Sequence, residues 1–478
     1  MARCALSGLL LSSCGYLALA LNDCQDGTCS AHFIQMQSSA LKQTHPWPHA
    51  RGSPPRQFGT TPEVWTSHKL SWSFHDPAGK YHNIFAGGPV IDQDKNLFQM
   101  SAKGVYAFNS SGHNLWHYDP PGISNNEVSL YGDLVLGSTK TGNAFAVNRK
   151  TGEEVWVTNL AKDAGGDCGY PGASEGVFVV GAEMGHDPAS DGGNVNVFGV
   201  DAKTGEKLWE YGVDKPVWNL TPLFPGDGST VFMDFAGGMY KLNLKTGAEV
   251  WKTLPETSRA SFSDGGATLG PNGLVYTCSN FGENRGSEGT TGMVRAFRLD
   301  NGTQAWYKMT TMPCNSYPAV GHIHGVSPLA VVVTPGSFMG QENLHGQVLA
   351  LNANTGEQLW RHDMKPYSGL FGMAAGDTEG SFTRQLEGIQ QICLPAHWSA
   401  PMIDGDGMVI AGRSDGNMYK VFGPTESFKG TQSQNMTVDS GTISEKIPLG
   451  SAFLHGALAA APGIFAISSC DTLFVFQK

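Results

Sequence analysis

A ten- or eleven-residue pattern recurs six times along this chain, and every copy ends on tryptophan. The copies run Ala107–Trp116, Ala146–Trp156, Gly199–Trp209, Lys241–Trp251, Ala296–Trp306 and Ala350–Trp360. In each, a glycine stands four residues before the tryptophan, preceded in most copies by Asn or Asp and by Thr, Ser or Asn. Successive tryptophans lie 40 to 55 residues apart. A period of that size is the mark of propeller blades, because one such unit cannot bury its apolar face alone and must stack on a neighbour.

The physics of one copy is readable. Two short alternating strands flank a turn. An Asn or Asp side chain caps that turn, and the glycine supplies its left-handed position. The tryptophan then lies on the outgoing strand, where its flat ring can pack between neighbouring sheets. Upstream lies another strand pair, such as Thr230–Phe235, which makes four strands per repeat. Two further copies, 399–421 and 456–476, lack the tryptophan, and the last stops before its fourth strand. Lys69–Phe74 is an orphan strand near the start. The economical solution is an all-β, eight-bladed β-propeller of four-stranded antiparallel blades, with the N-terminal strand completing the last blade and closing the ring. Seven blades is the alternative.

Composition agrees with this reading. The chain has 478 residues, 62 of them glycine and 11 tryptophan, and only 15% are charged. A disordered chain would be charge-rich and poor in aromatics. The formal net charge of −11 argues against a nucleic-acid partner.

Residues 1–20 read as a cleaved signal peptide: Arg3, an apolar run from Ala5 to Leu19, then Ala18-Leu19-Ala20 for cleavage. The run is short for a membrane span, and no later segment is long and apolar enough to make one. Residues 21–60 read as a flexible leader rich in Ser, Gln, Thr, His and Pro, or as a second targeting element. The propeller is expected over 61–478. A secretory route, extracellular or lumenal, makes Asn109, Asn301 and Asn435 glycosylation candidates, while Pro222 weakens the sequon at Asn219. Seven cysteines remain after the signal, an odd number. Cys24 and Cys29 are the easiest local pair, and Cys168, Cys314 and Cys393 all precede innermost strands.

The motif A-x-D-x-x-T-G-x-x-x-W resembles the tryptophan-docking motif of pyrroloquinoline-quinone (PQQ) repeat propellers, over roughly residues 65–478. The motif holds blades together and does no chemistry. The resemblance extends in two directions. One is the propeller lipoprotein of bacterial outer-membrane assembly, a non-enzymatic scaffold; here a lipobox is missing, since Cys24 follows Leu21-Asn22-Asp23. The other is the quinoprotein alcohol dehydrogenases, which would imply PQQ with calcium. Their vicinal Cys-Cys has only Gly166-Asp167-Cys168-Gly169 as its counterpart, so the expectation is that no cofactor binds.

In a propeller the turns entering the innermost strands surround the channel mouth, where ligands usually bind. Reading that position gives Asn83, Asn126, Tyr170, Trp218, Asp264, His324, His397 and His455, with Trp398 beside them. His324, His397 and His455 are candidate metal ligands. Asp264 is the candidate general base. Long hairpins at 183–191, 281–292 and 336–346 would wall one binding surface, and the connection 361–397 could fold over the mouth. The reading is a binding or scaffold module for a protein, a glycan or a small polar ligand. The alternative is a PQQ-dependent oxidoreductase acting on alcohols or sugars.

Overall fold

Short apolar strands punctuated by tight turns assemble, in a computed structural model, into eight antiparallel sheets set in a ring. The structure describes residues 45–478 apart from 86, 124–126, 166–168, 187–191, 256–264, 282–290, 337–344, 369–376, 390–397, 424–441 and 454–457. Blade one is Val90–Ile91, Leu97–Ser101, Gly104–Phe108 and Asn114–Tyr118, and blade two is Ser129–Tyr131, Leu134–Ser138, Asn143–Asn148 and Glu154–Asn159. Blade three is Gly172–Ser174, Val177–Met184, Asn194–Asp201 and Lys207–Val217. Blade four is Ser229–Met233, Met239–Asn243 and Glu249–Thr253, its inner position filled by Leu223 bridged to Val231. Blade five is Ala267–Leu269, Leu274–Phe281, Thr291–Arg298 and Gln304–Thr310, and blade six is Ala319–Gly321, Ala330–Val333, Gln347–Asn352 and Gln358–Asp363. Blade seven is Met402–Ile403, Val409–Gly412, Asn417–Phe422 and Thr442–Pro448. Blade eight is Ala459–Ala461, Ile464–Ser468 and Leu473–Gln477, completed by Lys69–Phe74. The expected closure is therefore present, with Lys69 opposite Gln477 and Phe74 opposite Leu473.

The core lies between blades rather than inside any one of them. Val90, Phe98 and Val105 of blade one, for example, pack on Val128, Leu130 and Phe145 of blade two. Each docking indole crosses such a seam. Nε1 of Trp116, Trp156, Trp209, Trp251 and Trp306 donates to the carbonyls of Arg149, Ala202, Leu244, Leu299 and Ala353, all on the following blade, at 2.9–3.1 Å. The motif glycine is required twice over. Gly152 has φ +74°, and a Cβ there would lie 2.7 Å from the Trp116 ring. Trp72 on the closing strand is a seventh member of the set: it donates to Ser110 O at 2.9 Å and packs on Gly112. Trp360 is 1% exposed, but its Nε1 has no acceptor among the described residues, where blade seven presents Phe422-Gly423 instead of the motif.

Because strand direction alternates, the connections entering the inner strands share one end of the ring with the hairpins joining second and third strands. That is the mouth end. The turns leaving the inner strands lie at the other, the turn end.

The expected leader needs correction. Residues 45–60 belong to the folded body: His45, Trp47, His49, Arg51 and Gln57 are all at most 3% exposed. They carry no apolar period because they form no regular element, only a strap laid against the inner strands. No helix among the described residues is long and apolar enough to cross a membrane. The expected signal peptide and the rest of residues 1–44 lie outside the described residues.

Candidate functional site: the ring axis

The strap visits the blades in order. Trp47 pairs with Ile91 of blade one, and Pro48 O accepts from Leu130 N of blade two at 2.8 Å. His49 lies against Gly172 of blade three, where a Cβ would clash with its ring. Gln57 Oε1 accepts from Phe224 N, beside blade four, at 2.7 Å. The carbonyls of Gln57, Phe58 and Gly59 then accept from Leu269, Val320 and Ile403 of blades five, six and seven at 2.8–3.2 Å. Trp65 finishes against Phe465 and Phe476 of blade eight, ring centroids 4.7 and 4.9 Å away. These contacts satisfy inner-strand backbone groups that would otherwise face the channel.

Arg51 reaches from the strap down the axis. Its Nη2 donates to Pro318 O and Pro401 O at 2.5 and 2.9 Å, while Nε and Nη1 have no hydrogen-bond partner among the described residues. Burial lowers its pKa to about 10. Below it, Tyr170 and Tyr317 meet edge to face at 5.3 Å, and Tyr317 Oη donates to Asn219 O at 2.9 Å. Glu127 accepts from Gly88 N at 2.9 Å, and burial holds its carboxyl well above the usual range.

The mouth end is covered in part by the long connection between blades six and seven, which contains helix α1, Asp377–Leu386. Arg384 on α1 is buried. Just beyond α1, Glu387 pairs with His82 and with Lys103, the latter at 3.1 Å, and the His82 bond draws its carboxyl below the ordinary value. Ile389 packs on the axial cluster that holds Ala50, Tyr170, Tyr317 and Cys470. Cys278 and Cys314 form a disulfide on blade five with Cα atoms 5.4 Å apart. Cys470 is also disulfide-bonded, to a cysteine outside the described residues.

The sequence-predicted site residues separate as follows. Tyr170 belongs to the axial cluster, Trp398 packs in the seam of blades six and seven, and these two and Asn83 are at most 1% exposed. Asn83 is tied to Asp76 and Ser101, so it builds the rim. Trp218 is half-buried beside Phe235, ring centroids 6.0 Å apart. His324 is exposed and follows the inner strand of blade six instead of preceding it, so it lies at the turn end, where its N–H donates to Gly407 O. The strand after it, Ala330–Val333, is the second strand of that blade. Asn126, Asp264, His397 and His455 lie outside the described residues, as does Asn435. Among the described residues no three His, Cys, Asp or Glu side chains are grouped to hold a metal ion. Asn301 is exposed on its turn, Asn109 is half-buried, and Asn219 is buried. Sequence reasoning missed the strap, Arg51 and Tyr317. A cleft between blades two and three, about 380 Å³ including its open mouth, reaches Tyr170 past Lys140, Gly165, Asn194 and Asn219.

A family model described as outer membrane protein assembly factor BamB (PQQ_2) matches residues 63–181, 101–284 and 147–319, more than half of the chain. The chain belongs to this family of PQQ-repeat propellers. BamB of Burkholderia pseudomallei is 26% identical over 251 residues, 52% of this chain and 57% of that protein. A polyvinylalcohol dehydrogenase of a Pseudomonas species is 24% identical over 54% of this chain and 48% of its own length. The chain thus spans about half the length of the curated relatives it matches. The fold is that of the crystal structures of BamB from Moraxella catarrhalis (TM-score 0.56, 16% identity, 86% of this chain and 100% of that one) and a quinohemoprotein alcohol dehydrogenase from Comamonas testosteroni (TM-score 0.59, 13% identity, 93% and 82%).

The family raises PQQ as a cofactor. A three-ring quinone needs a planar slot. The described axial residues do not fit one: Ala50, Ile84, Ala102, Tyr170, Tyr317, Ala400 and Ala452 close on each other as one cluster, with Arg51 reaching the carbonyls beside it.

Proposed function

We propose that this propeller is a binding or scaffold module of a secretory or lumenal compartment. It recognises a protein or glycan through loops at its mouth end and catalyses no reaction of its own. The observation that carries this reading is the occupied axis. The strap and the Tyr170–Tyr317 layer take the space a buried cofactor would need, so recognition falls to the rim, its hairpins and the cleft beside Tyr170. The likeness to BamB, an assembly factor by name, supports a protein partner. The dehydrogenase relatives support the other reading, a PQQ-dependent oxidoreductase of alcohols or sugars. One titration decides between them. The purified chain is mixed with PQQ and calcium, then assayed for quinone absorbance and for dye reduction with alcohols and aldoses. The expected result is neither stoichiometric binding nor turnover; stoichiometric binding with turnover overturns the scaffold.

A further inference from the structure

Two histidines sit deep in the strap, His45 at 3% and His49 at 0% exposure. Neither faces a carboxylate able to neutralise an imidazolium. His45 Nε2 lies 2.8 Å from Gly132 O of blade two. The charged groups near it are Arg149 and Asp92, from blades two and one, and Asp92 is already paired with Arg149. His49 is packed against Gly172 and the Phe224 ring, and its Nδ1 lies 2.7 Å from both the Gln57 amide and Ala50 O. The nearest cation in sequence is Arg51, itself buried with two unpartnered N–H groups. A proton added to either imidazole has nowhere to place its charge. His68, past Trp65, is different: Glu63 lies 3.5 Å from its Nε2, with Lys478 on the far side of Glu63 at 2.6 Å.

We propose that residues 45–61 are an acid-releasable arm, which fills the axis at neutral pH and withdraws when His45 and His49 are protonated, while Trp65 and the closing strand keep the ring shut. The sign follows from burial. Desolvation lowers the pKa of both imidazoles, that of His49 to about 4. A group whose docked pKa lies below its free value favours docking above the free pKa, near 6.5, and loses that preference as pH falls toward the docked pKa. For His49 alone the docking equilibrium drops about sixtyfold between pH 7 and 4.5. The arm can leave without the blades because its backbone bonds are one or two scattered links to each of blades one, two, five, six and seven, whereas each sheet keeps its own ladder. Departure would uncover the Tyr170–Tyr317 layer, so the axis would open in acid only. This inference is independent of the scaffold reading.

Hydrogen exchange of the full chain, corrected for intrinsic rates, tests it across pH 7.5 to 4.5. The amides of Trp47, Gly59 and Thr61 should lose protection below about pH 6, while those of the second and third blade strands stay protected. His49→Gln should restore at pH 4.5 a large part of the roughly sixtyfold loss of protection. If that variant does not fold, His45→Gln should shift the release to lower pH by a smaller step. Full protection of the arm at pH 4.5, or loss of arm and blades together, overturns the proposal.

Discussion

In the strap that closes the turn end, burial lowers the pKa of two imidazoles, His45 and His49. At the mouth end burial acts on carboxyls. Glu127, Asp234 and Asp471 are each at most 1% exposed, and burial raises the pKa of all three carboxyls, that of Asp234 to about 6. The ends also differ in how they are joined. The turn end is closed by a strap without covalent links among the described residues, the mouth end by loops tied with disulfides. Acid should therefore loosen one end and base the other, so their stabilities are separable by pH.

The comparison can be broken most forcefully at Trp65. Trp65→Ala empties a fully buried site at the seam of strap and blade eight, and should cost about 3–5 kcal/mol in chemical denaturation. A loss below about 1 kcal/mol would mean the strap is not part of the cooperative unit. The mouth end is tested by Cys278→Ser with Cys314→Ser. Opening a loop with a sequence separation of 36 should remove about 3–4 kcal/mol, and nothing measurable if the blade ladder alone holds that loop.

The smallest effect sharpens the pH contrast. Asp234 takes a hydrogen bond from Tyr240 Oη at 2.8 Å and from Gly238 N at 2.7 Å, and its raised pKa results mainly from burial. Its folded pKa exceeds the unfolded one, so it costs nothing below about pH 3.8 and progressively destabilises the fold as pH rises through about 6. Asp234→Asn should gain about 1–2 kcal/mol at pH 7.5. At pH 3.5 it should be neutral; a gain that does not vary with pH would assign the effect to packing instead.

The blades could be read in the sequence because Trp and Gly must recur wherever one sheet docks on the next. The closing strand could be read because Lys69–Phe74 lacked a partner until blade eight lacked a strand. Trp72 escaped notice for the same reason: its hairpin partner Leu473–Gln477 lies at the far side of the chain, so no motif turn precedes it, and the turn it docks on, around Ser110, belongs to blade one. The strap was invisible to pattern. Pro, His, Arg and Gly in 45–60 look solvated, and only the tertiary structure shows the strap bonding blades one, two, five, six and seven in turn. His324 was misplaced because the apolar run Leu329–Val333 that follows it reads as the entry to a blade, whereas the inner strand, Ala319–Gly321, precedes it.

The seam between Trp65 and Phe476 joins residues about four hundred positions apart. Such pairing raises the contact order of the whole ring, since loop closure must be paid before the contact returns any energy. Blades one to six can each form as they are synthesised, but the seam stays unmade until blade eight exists. In that interval Lys69–Phe74 is an unpaired strand with Leu70 and Trp72 on it, open to pairing with another chain. Ring closure is thus expected to be the slow step of folding, and the step at which a helper protein would change the yield.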